Sequence, residues 1–210
     1  MLSSTEALQE LKQGNQRFLS GTASRGKLTA EQRRSLAANH HPFAVILGCA
    51  DSRVPAELIF DQGFGDLFVV RVAGNIAAPS QTGSVEFAVQ RLGARLVVVL
   101  GHTHCAAVEA TLNQMRGLGE NFSQHLEAIV RRIRPAFSEL SEIHRDTDPQ
   151  TLLNAAVRAN IQHTVKQLRG DSSILQKLAE HDGLCITGAV YCLETGDVEF
   201  LDEISQDQTP

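Results

Sequence analysis

The stretch Phe43-Ala-Val-Ile-Leu-Gly-Cys-Ala-Asp-Ser-Arg53 joins a short apolar run to a polar, chemically reactive end. Residues 43–48 are continuously apolar and too few for a typical helix, as expected of a strand buried on both faces. Similar runs follow at 67–72 and 95–101. We therefore predict three buried strands, the first of which ends just before Cys49.

The segment between the second and third runs has helical spacing. Val85, Ala88, Val89 and Leu92 recur at three- and four-residue steps, which predicts a helix over 80–92. Strands that alternate with helices imply right-handed crossovers and a parallel sheet with helices on its faces. The predicted fold class is α/β, with a mixed sheet that has a parallel core.

The ends of the chain complete this organisation. Ser3 and Glu6 form a capping-box pattern, and the apolar spacing that follows predicts a helix over 4–20. The whole chain is read as one domain, 1–210, with four parts: an N-terminal helical arm (1–38, with a second helix at 30–38), an α/β core (43–105), a mostly helical segment (106–181) and C-terminal strands (184–204).

Composition excludes several classes of protein. With 42% hydrophobic and 20% charged residues, the 210-residue chain is an ordinary globular protein. The net charge of −5 and the lack of a basic stripe argue against a nucleic-acid partner. No apolar run approaches the roughly 20 residues of a membrane helix, and the N-terminus does not resemble a signal peptide. We expect a cytoplasmic protein with no membrane partner.

Two short segments carry the chemistry: Cys49-Ala-Asp-Ser-Arg53 and His102-Thr-His-Cys105. Each begins where a predicted parallel strand ends. Ligands of open α/β sheets collect beyond the carboxyl ends of the strands, so the topology brings both segments to one region. In a reducing compartment, cysteines there favour metal or catalytic use over disulfides.

Two thiolates and one imidazole form a donor set suited to tetrahedral Zn²⁺. The fourth position is either open to water, as in a catalytic site, or closed by the Asp51 carboxylate, as in a structural site. Asp51 can accept a hydrogen bond from zinc-bound water, and Arg53 can keep Asp51 ionised through a charge-assisted pair.

These motifs resemble those of the β-class carbonic anhydrases. The resemblance rests on Cys49-Ala-Asp-Ser-Arg53 and Gly101-His-x-x-Cys105, about fifty residues apart, and continues through residues 68–75, 84–89 and 188–191. It implies a zinc-dependent lyase that hydrates CO₂ reversibly to bicarbonate and a proton, by attack of zinc-bound hydroxide on CO₂. It also implies a homodimer or homotetramer with active sites at subunit interfaces.

The resemblance assigns roles to individual residues. Cys49, His102 and Cys105 would hold Zn²⁺, and Asp51 with Arg53 would form the catalytic pair. Four further positions match substrate-binding places of the family: Phe68, Phe87 (expected to reach across a dimer interface), the backbone N–H of Ala106, and His40, which stands where many members have glutamine.

One subgroup of the family has a closed form at low pH, in which the aspartate binds zinc and bicarbonate occupies a pocket of tryptophan, arginine and tyrosine. Arg71 and Tyr191 match two of those places, but Ile46 replaces the tryptophan. The resemblance therefore implies an incomplete bicarbonate pocket, while Asp51 remains a possible fourth ligand.

Three other functions compete with CO₂ hydration. The same zinc chemistry could act on another cumulated molecule, carbon disulfide or carbonyl sulfide. Alternatively, Asp51 could close the zinc site permanently in a structural or bicarbonate-sensing protein. A redox role for Cys49 and Cys105 is the weakest alternative, because the chain has no Cys-x-x-Cys motif.

Overall fold

A computed structural model describes residues 1–24, 28–119, 121–138 and 148–201. Its five strands are β1 (Ala44–Gly48), β2 (Leu67–Arg71), β3 (Leu96–His102), β4 (Cys185–Tyr191) and β5 (Val198–Phe200). They form one sheet in the order β2-β1-β3-β4-β5. The first four strands are parallel and β5 is antiparallel to β4. The predicted mixed sheet with a parallel core is confirmed.

The register of the strands aligns their carboxyl ends. Gly48, the last residue of β1, lies opposite Arg71 of β2 and Leu100 of β3. His102, the last residue of β3, lies opposite Tyr191 of β4. The segments that leave these strands therefore start at the same edge of the sheet.

Burial differs among the predicted core strands. Every residue of β1 and β3 is buried, as their apolar runs predict. Strand β2 is only half-buried, so the expectation that 67–72 is buried on both faces is wrong for the single chain. The reason is that β2 lies at the edge of the sheet, although its apolar run resembles that of a central strand.

The helices are α1 (Ser4–Leu19), α2 (Ala30–Ala38), α3 (Ala56–Ile59), α4 (Pro79–Phe87), α5 (Ala106–Met115), α6 (Gln124–Ile133), α7 (Pro149–Asp171) and α8 (Ser173–His181). The helix predicted over 80–92 is interrupted, because α4 passes into a wider π-helical turn over Ala88–Leu92. The parts of the predictions that concern 25–27, 120, 139–147 and 202–210 lie outside the described residues. Within the described ranges, no helix is both long enough and apolar enough to span a membrane.

Alternation along the strands produces two cores, one on each face of the sheet. One face packs against α4, α5, α6 and α7, and Val45 and Val97 belong to it. The other face packs against α1 and α3, and Ile46 and Val98 belong to it. The predicted N-terminal arm therefore begins with a helix that packs on the sheet of its own chain.

Helix α1 is fixed to the sheet by buried polar contacts. The Asn15 side-chain amide donates to the carbonyl oxygens of Ile59, at 3.2 Å, and Gly196, at 3.0 Å. The Asn15 side-chain oxygen accepts from the N–H of Val198 at 3.1 Å. One turn of α1 thus joins α3 to the β4–β5 hairpin.

We expect Gly14→Ala to destabilise the fold strongly. A Cβ at position 14 would lie 1.8 Å from the carbonyl oxygen of Phe60, the C-cap residue of α3, so α1 would have to move away from α3. The expected loss is about 1–3 kcal/mol of unfolding free energy, as for other overpacked sites, measured by urea denaturation. The control is Gly170→Ala in α7, where a Cβ meets nothing within 4 Å and should be neutral or stabilising. Equal stability of both variants would contradict the prediction.

Helix α7 approaches the sheet closely beside the end of β3. A Cβ at Gly101 would lie 2.5 Å from Ile161 Cδ1, and a Cβ at Gly188 would lie 2.6 Å from Ile161 Cγ2. Both glycines therefore make room for one isoleucine of α7. This contact fixes the backbone immediately before His102.

Candidate metal centre and active site

Three ligand-bearing side chains meet at the carboxyl edge of the sheet. Cys49 directly follows β1, His102 ends β3, and Cys105 is the N-cap residue of α5. Their ligand atoms all lie within 4.8 Å of one another, and all three residues are buried. The two sulfur atoms are 4.0 Å apart. The structure thus brings together the residues that the sequence predicts as a zinc site.

The geometry of this cluster fits a zinc ion. Two sulfur ligands at about 2.3 Å from one tetrahedral zinc lie about 3.8 Å apart, close to the observed separation. His102 Nδ1 lies 2.8 Å from the Thr103 carbonyl oxygen. A carbonyl only accepts, so Nδ1 carries the proton and Nε2 keeps its lone pair. His102 Nε2 is buried with no hydrogen-bond partner among the described atoms, as expected of a nitrogen that binds a metal.

The two thiols strongly affect each other's ionisation. The hydrogen bond from Cys105, with a further one from the Gly74 N–H, holds the pKa of Cys49 below its usual range. The hydrogen bond to Cys49, together with burial, raises the pKa of Cys105. The Gly74 N–H lies 3.4 Å from the Cys49 sulfur. The site already favours one thiolate, and a divalent cation would favour the second.

Asp51 and Arg53 form a bidentate pair beside the cluster. Arg53 Nε donates to Asp51 Oδ1 at 2.9 Å, and Arg53 Nη2 donates to Oδ2 at 2.7 Å. This guanidinium holds the pKa of Asp51 well below its usual range. Asp51 Oδ2 is also 3.9 Å from His102 Nε2. The carboxylate is therefore ionised, oriented by Arg53, and next to the position a metal would occupy.

Arg71 supports the backbone of this segment. Its guanidinium donates to the carbonyl oxygen of Cys49 at 3.1 Å and also to that of Asp51. Ile46 is fully buried and Tyr191 is 6% exposed, both in the core on the α1 side of the sheet. Arg71 thus contacts the loop itself, and isoleucine fills the place that the resemblance gives to tryptophan.

The predicted substrate-binding residues divide into two groups. The ring centroids of Phe68 and Phe87 lie 6.4 Å apart, and the Phe87 residue is 53% exposed. Ala106 is the first residue of α5, where backbone N–H groups lack partners within the helix. His40, in contrast, lines a surface pocket with residues of α2, Phe64 and Gly65. None of the contacts described within the chain joins His40 to the cysteine–histidine cluster.

Sequence reasoning missed several residues that support the site. Gly74, to which sequence reasoning gives no role of its own, directs its N–H at Cys49, and Asn160 of α7 donates to the Gly74 carbonyl oxygen at 2.8 Å. The position of Gly74 just after β2 was an available signal, because all parallel strands end at this edge. Asn160 is distant in sequence and had no such signal. A third residue missed is Glu194, which contacts the 102–105 loop.

Comparisons with known proteins agree with this site. Residues 44–198 match the family model described as carbonic anhydrase. Carbonic anhydrase 2 of Mycobacterium tuberculosis is 37% identical over 94% of this chain and 93% of its own. The carbonic anhydrase of Mycolicibacterium smegmatis is 38% identical over 92% of this chain and 91% of its own. The β-carbonic anhydrase CafA of Aspergillus fumigatus superposes with a TM-score of 0.74 at 26% identity, covering 94% of this chain and 90% of that one.

The mixed sheet with its parallel core and the Cys₂His cluster define an α/β protein with a zinc-type site at the strand ends. Taken with these matches, they place the chain in the carbonic anhydrase family, in its β class. Its activity is the zinc-dependent, reversible hydration of carbon dioxide to bicarbonate and a proton. The prediction of fold, family and cofactor is confirmed.

Proposed function

We propose that Cys49, His102 and Cys105 are the zinc ligands of this carbonic anhydrase and that Asp51 and Arg53 are its catalytic pair. The proposal rests on one observation: the ligand atoms of three buried residues all lie within 4.8 Å of one another. Zinc held there supplies the Lewis acidity that makes water a nucleophile near neutral pH. The protein residues hold the ion, orient the reacting water and bind the substrate.

Asp51 acts on the reacting water in this proposal. Its Oδ2 faces the ligand cluster, 3.9 Å from His102 Nε2, and can accept a hydrogen bond that orients the water for attack. Arg53 keeps this oxygen deprotonated, and both carboxylate oxygens accept from the guanidinium. That bidentate pair favours the catalytic role over zinc ligation, because Asp51 would have to leave Arg53 to become the fourth ligand.

The substrate pocket is proposed from four residues. The Ala106 N–H, at the N-terminus of α5, can donate to an oxygen of bicarbonate, since helix N-termini favour anions. The Phe68 and Phe87 rings offer an apolar wall for CO₂. His40 remains a prediction as a donor to bicarbonate. No described contact favours carbon disulfide or carbonyl sulfide over CO₂.

The test is zinc analysis, X-ray absorption and stopped-flow CO₂ hydration on one preparation of the full chain. We expect stoichiometric zinc with two sulfur ligands and at least one nitrogen ligand, and rapid hydration. A zinc shell with no sulfur or a single sulfur would refute the proposed ligands. Full zinc occupancy without hydration would refute the catalytic assignment and favour a closed, structural site.

We also propose that the chain assembles as a homodimer or homotetramer. Helix α2 has no buried residue, and Phe87 is 53% exposed beside Phe68. Exposed apolar groups next to a site favour burial by a second copy. We expect Phe87→Glu to shift the protein toward monomers in sedimentation experiments, while Phe87→Leu stays assembled. A wild-type monomer would contradict the proposal.

The proposed location is a reducing compartment such as the cytoplasm. Cys49 and Cys105, which belong to the proposed ligand set, are free thiols. Zinc binding needs these sulfurs as thiolates, so oxidation would abolish the site. Localisation of a tagged full-length chain in its native cells tests this, and export from the cytoplasm would contradict it.

A further inference from the structure

The turn between β4 and β5 contacts the loop that carries two proposed zinc ligands. Glu194, on that turn, has a carboxylate that accepts from the Thr103 hydroxyl at 3.1 Å and from the Cys192 thiol at 3.2 Å. The same carboxylate accepts from His104 Nε2. One exposed glutamate thus binds both residues between His102 and Cys105.

The loop it holds has an unfavourable backbone conformation. His104 has a φ of 54°, in the left-handed region that non-glycine residues seldom adopt. Such a conformation persists only where surrounding contacts impose it. The described contacts of His104 are the hydrogen bond from its Nε2 to Glu194 and a 3.5 Å hydrogen bond from Arg53 to its carbonyl oxygen. Glu194 is therefore a main restraint on this residue, which immediately precedes Cys105.

A short path of hydrogen bonds connects Glu194 to the imidazole of His102. The Thr103 hydroxyl donates to Glu194 and accepts from the Leu193 N–H at 3.0 Å. The Thr103 N–H donates to the Tyr191 carbonyl oxygen at 3.0 Å. The Thr103 carbonyl oxygen accepts from His102 Nδ1 and so fixes the imidazole with Nε2 toward the cluster. Contacts that hold Thr103 in place therefore also hold His102, a proposed zinc ligand.

We propose that Glu194 is a positioning residue that retains zinc by holding the Thr103–His104 backbone, and with it His102 and Cys105, in ligating geometry. The inference rests on the proposed ligand roles of those two residues. Removal of a residue that orients metal ligands commonly lowers metal affinity by about 10- to 100-fold. Glu194 itself touches neither metal ligand and is exposed, so its removal leaves the core intact.

The test compares zinc release from Glu194→Ala and from the wild-type holoenzyme. Release is followed with a chromogenic chelator in excess at neutral pH, and we expect about tenfold faster loss from the variant. The matched control is Asp197→Asn, an exposed carboxylate on the same turn whose side chain has no contact described with the loop. Cobalt-substituted Glu194→Ala should also show an altered visible spectrum, because the ligand geometry changes. If Glu194→Ala releases zinc at the wild-type rate and its cobalt spectrum is unchanged, the proposal is wrong.

A second variant tests whether the effect passes through Thr103. Thr103→Val removes the hydroxyl at nearly constant volume and should also accelerate zinc release. If Glu194 acts through this residue, the double variant should release zinc no faster than the faster single variant, since coupled residues are not additive. If the effects of the two substitutions on the rate of zinc release are fully additive, the proposed connection through Thr103 is wrong.

Failure of this inference is distinguishable from failure of the proposed function. If Cys105→Ser retains zinc, the ligand assignment itself is wrong. If Cys105→Ser loses zinc while Glu194→Ala releases it at the wild-type rate, only the positioning role is wrong.

Discussion

Replacement of Cys105 by serine is expected to abolish zinc binding and CO₂ hydration together. Cys105 Sγ lies 4.0 Å from Cys49 Sγ in the buried cluster, and a neutral hydroxyl is a poor ligand for a borderline-soft cation. We expect zinc affinity to fall by more than about 100-fold, beyond the loss typical of a residue that only hydrogen-bonds to a ligand. Activity should fall in proportion to zinc content.

The fold should survive this substitution. Cys105 is the N-cap residue of α5, a position where serine is among the preferred residues. Circular dichroism should therefore match the wild type while metal analysis shows a near-empty protein. The control is Cys185→Ser, on β4 opposite Leu96 at the far end of the strand, which should retain zinc and activity. Stoichiometric zinc in Cys105→Ser would contradict the ligand assignment.

Asp51→Asn is expected to separate activity from metal binding. The amide is isosteric but neutral, so it loses the charge-assisted pair with Arg53 and accepts the water's hydrogen bond more weakly. Loss of one positioned acid–base group typically costs 10²- to 10⁴-fold in rate, and we expect on the order of 10²-fold here. Zinc content should remain stoichiometric.

A second aspartate–arginine pair provides the control. Asp182 pairs with Arg95 outside the site, so Asp182→Asn removes a carboxylate of the same type without touching the ligand cluster. That variant should retain full activity in the stopped-flow assay. Wild-type turnover in Asp51→Asn would show that Asp51 has no catalytic role. Loss of zinc from Asp51→Asn would instead identify Asp51 as a ligand.

Much of the site was predictable because the direction of the parallel strands places its residues. Cys49 and His102 each lie where a continuously apolar run stops, and parallel strands bring such positions to one edge. The donor set then indicates the metal. Asp51 and Arg53 belong to the first motif, so their pairing was a local expectation.

The hydrogen bonds that support the site from distant parts of the chain were not predictable in the same way. Asn160 is 86 residues from Gly74 in sequence, and Glu194 is 91 residues from Thr103. Neither residue belongs to a motif, and an asparagine in a helix or a glutamate in a turn is ordinary in composition. Only the packing of α7 and of the β4–β5 hairpin against the strand ends gives these residues a role.

The sequence by itself determined the fold class, the cofactor and the two motifs, because hydrophobic periodicity and donor chemistry are local properties of the chain. The tertiary structure alone decided that β2 is an edge strand, that Asn160 supports the Gly74 backbone, and that Glu194 contacts the ligand loop. These depend on distances between segments remote in sequence. Such distances are set by the packing of the whole domain, which no local pattern encodes.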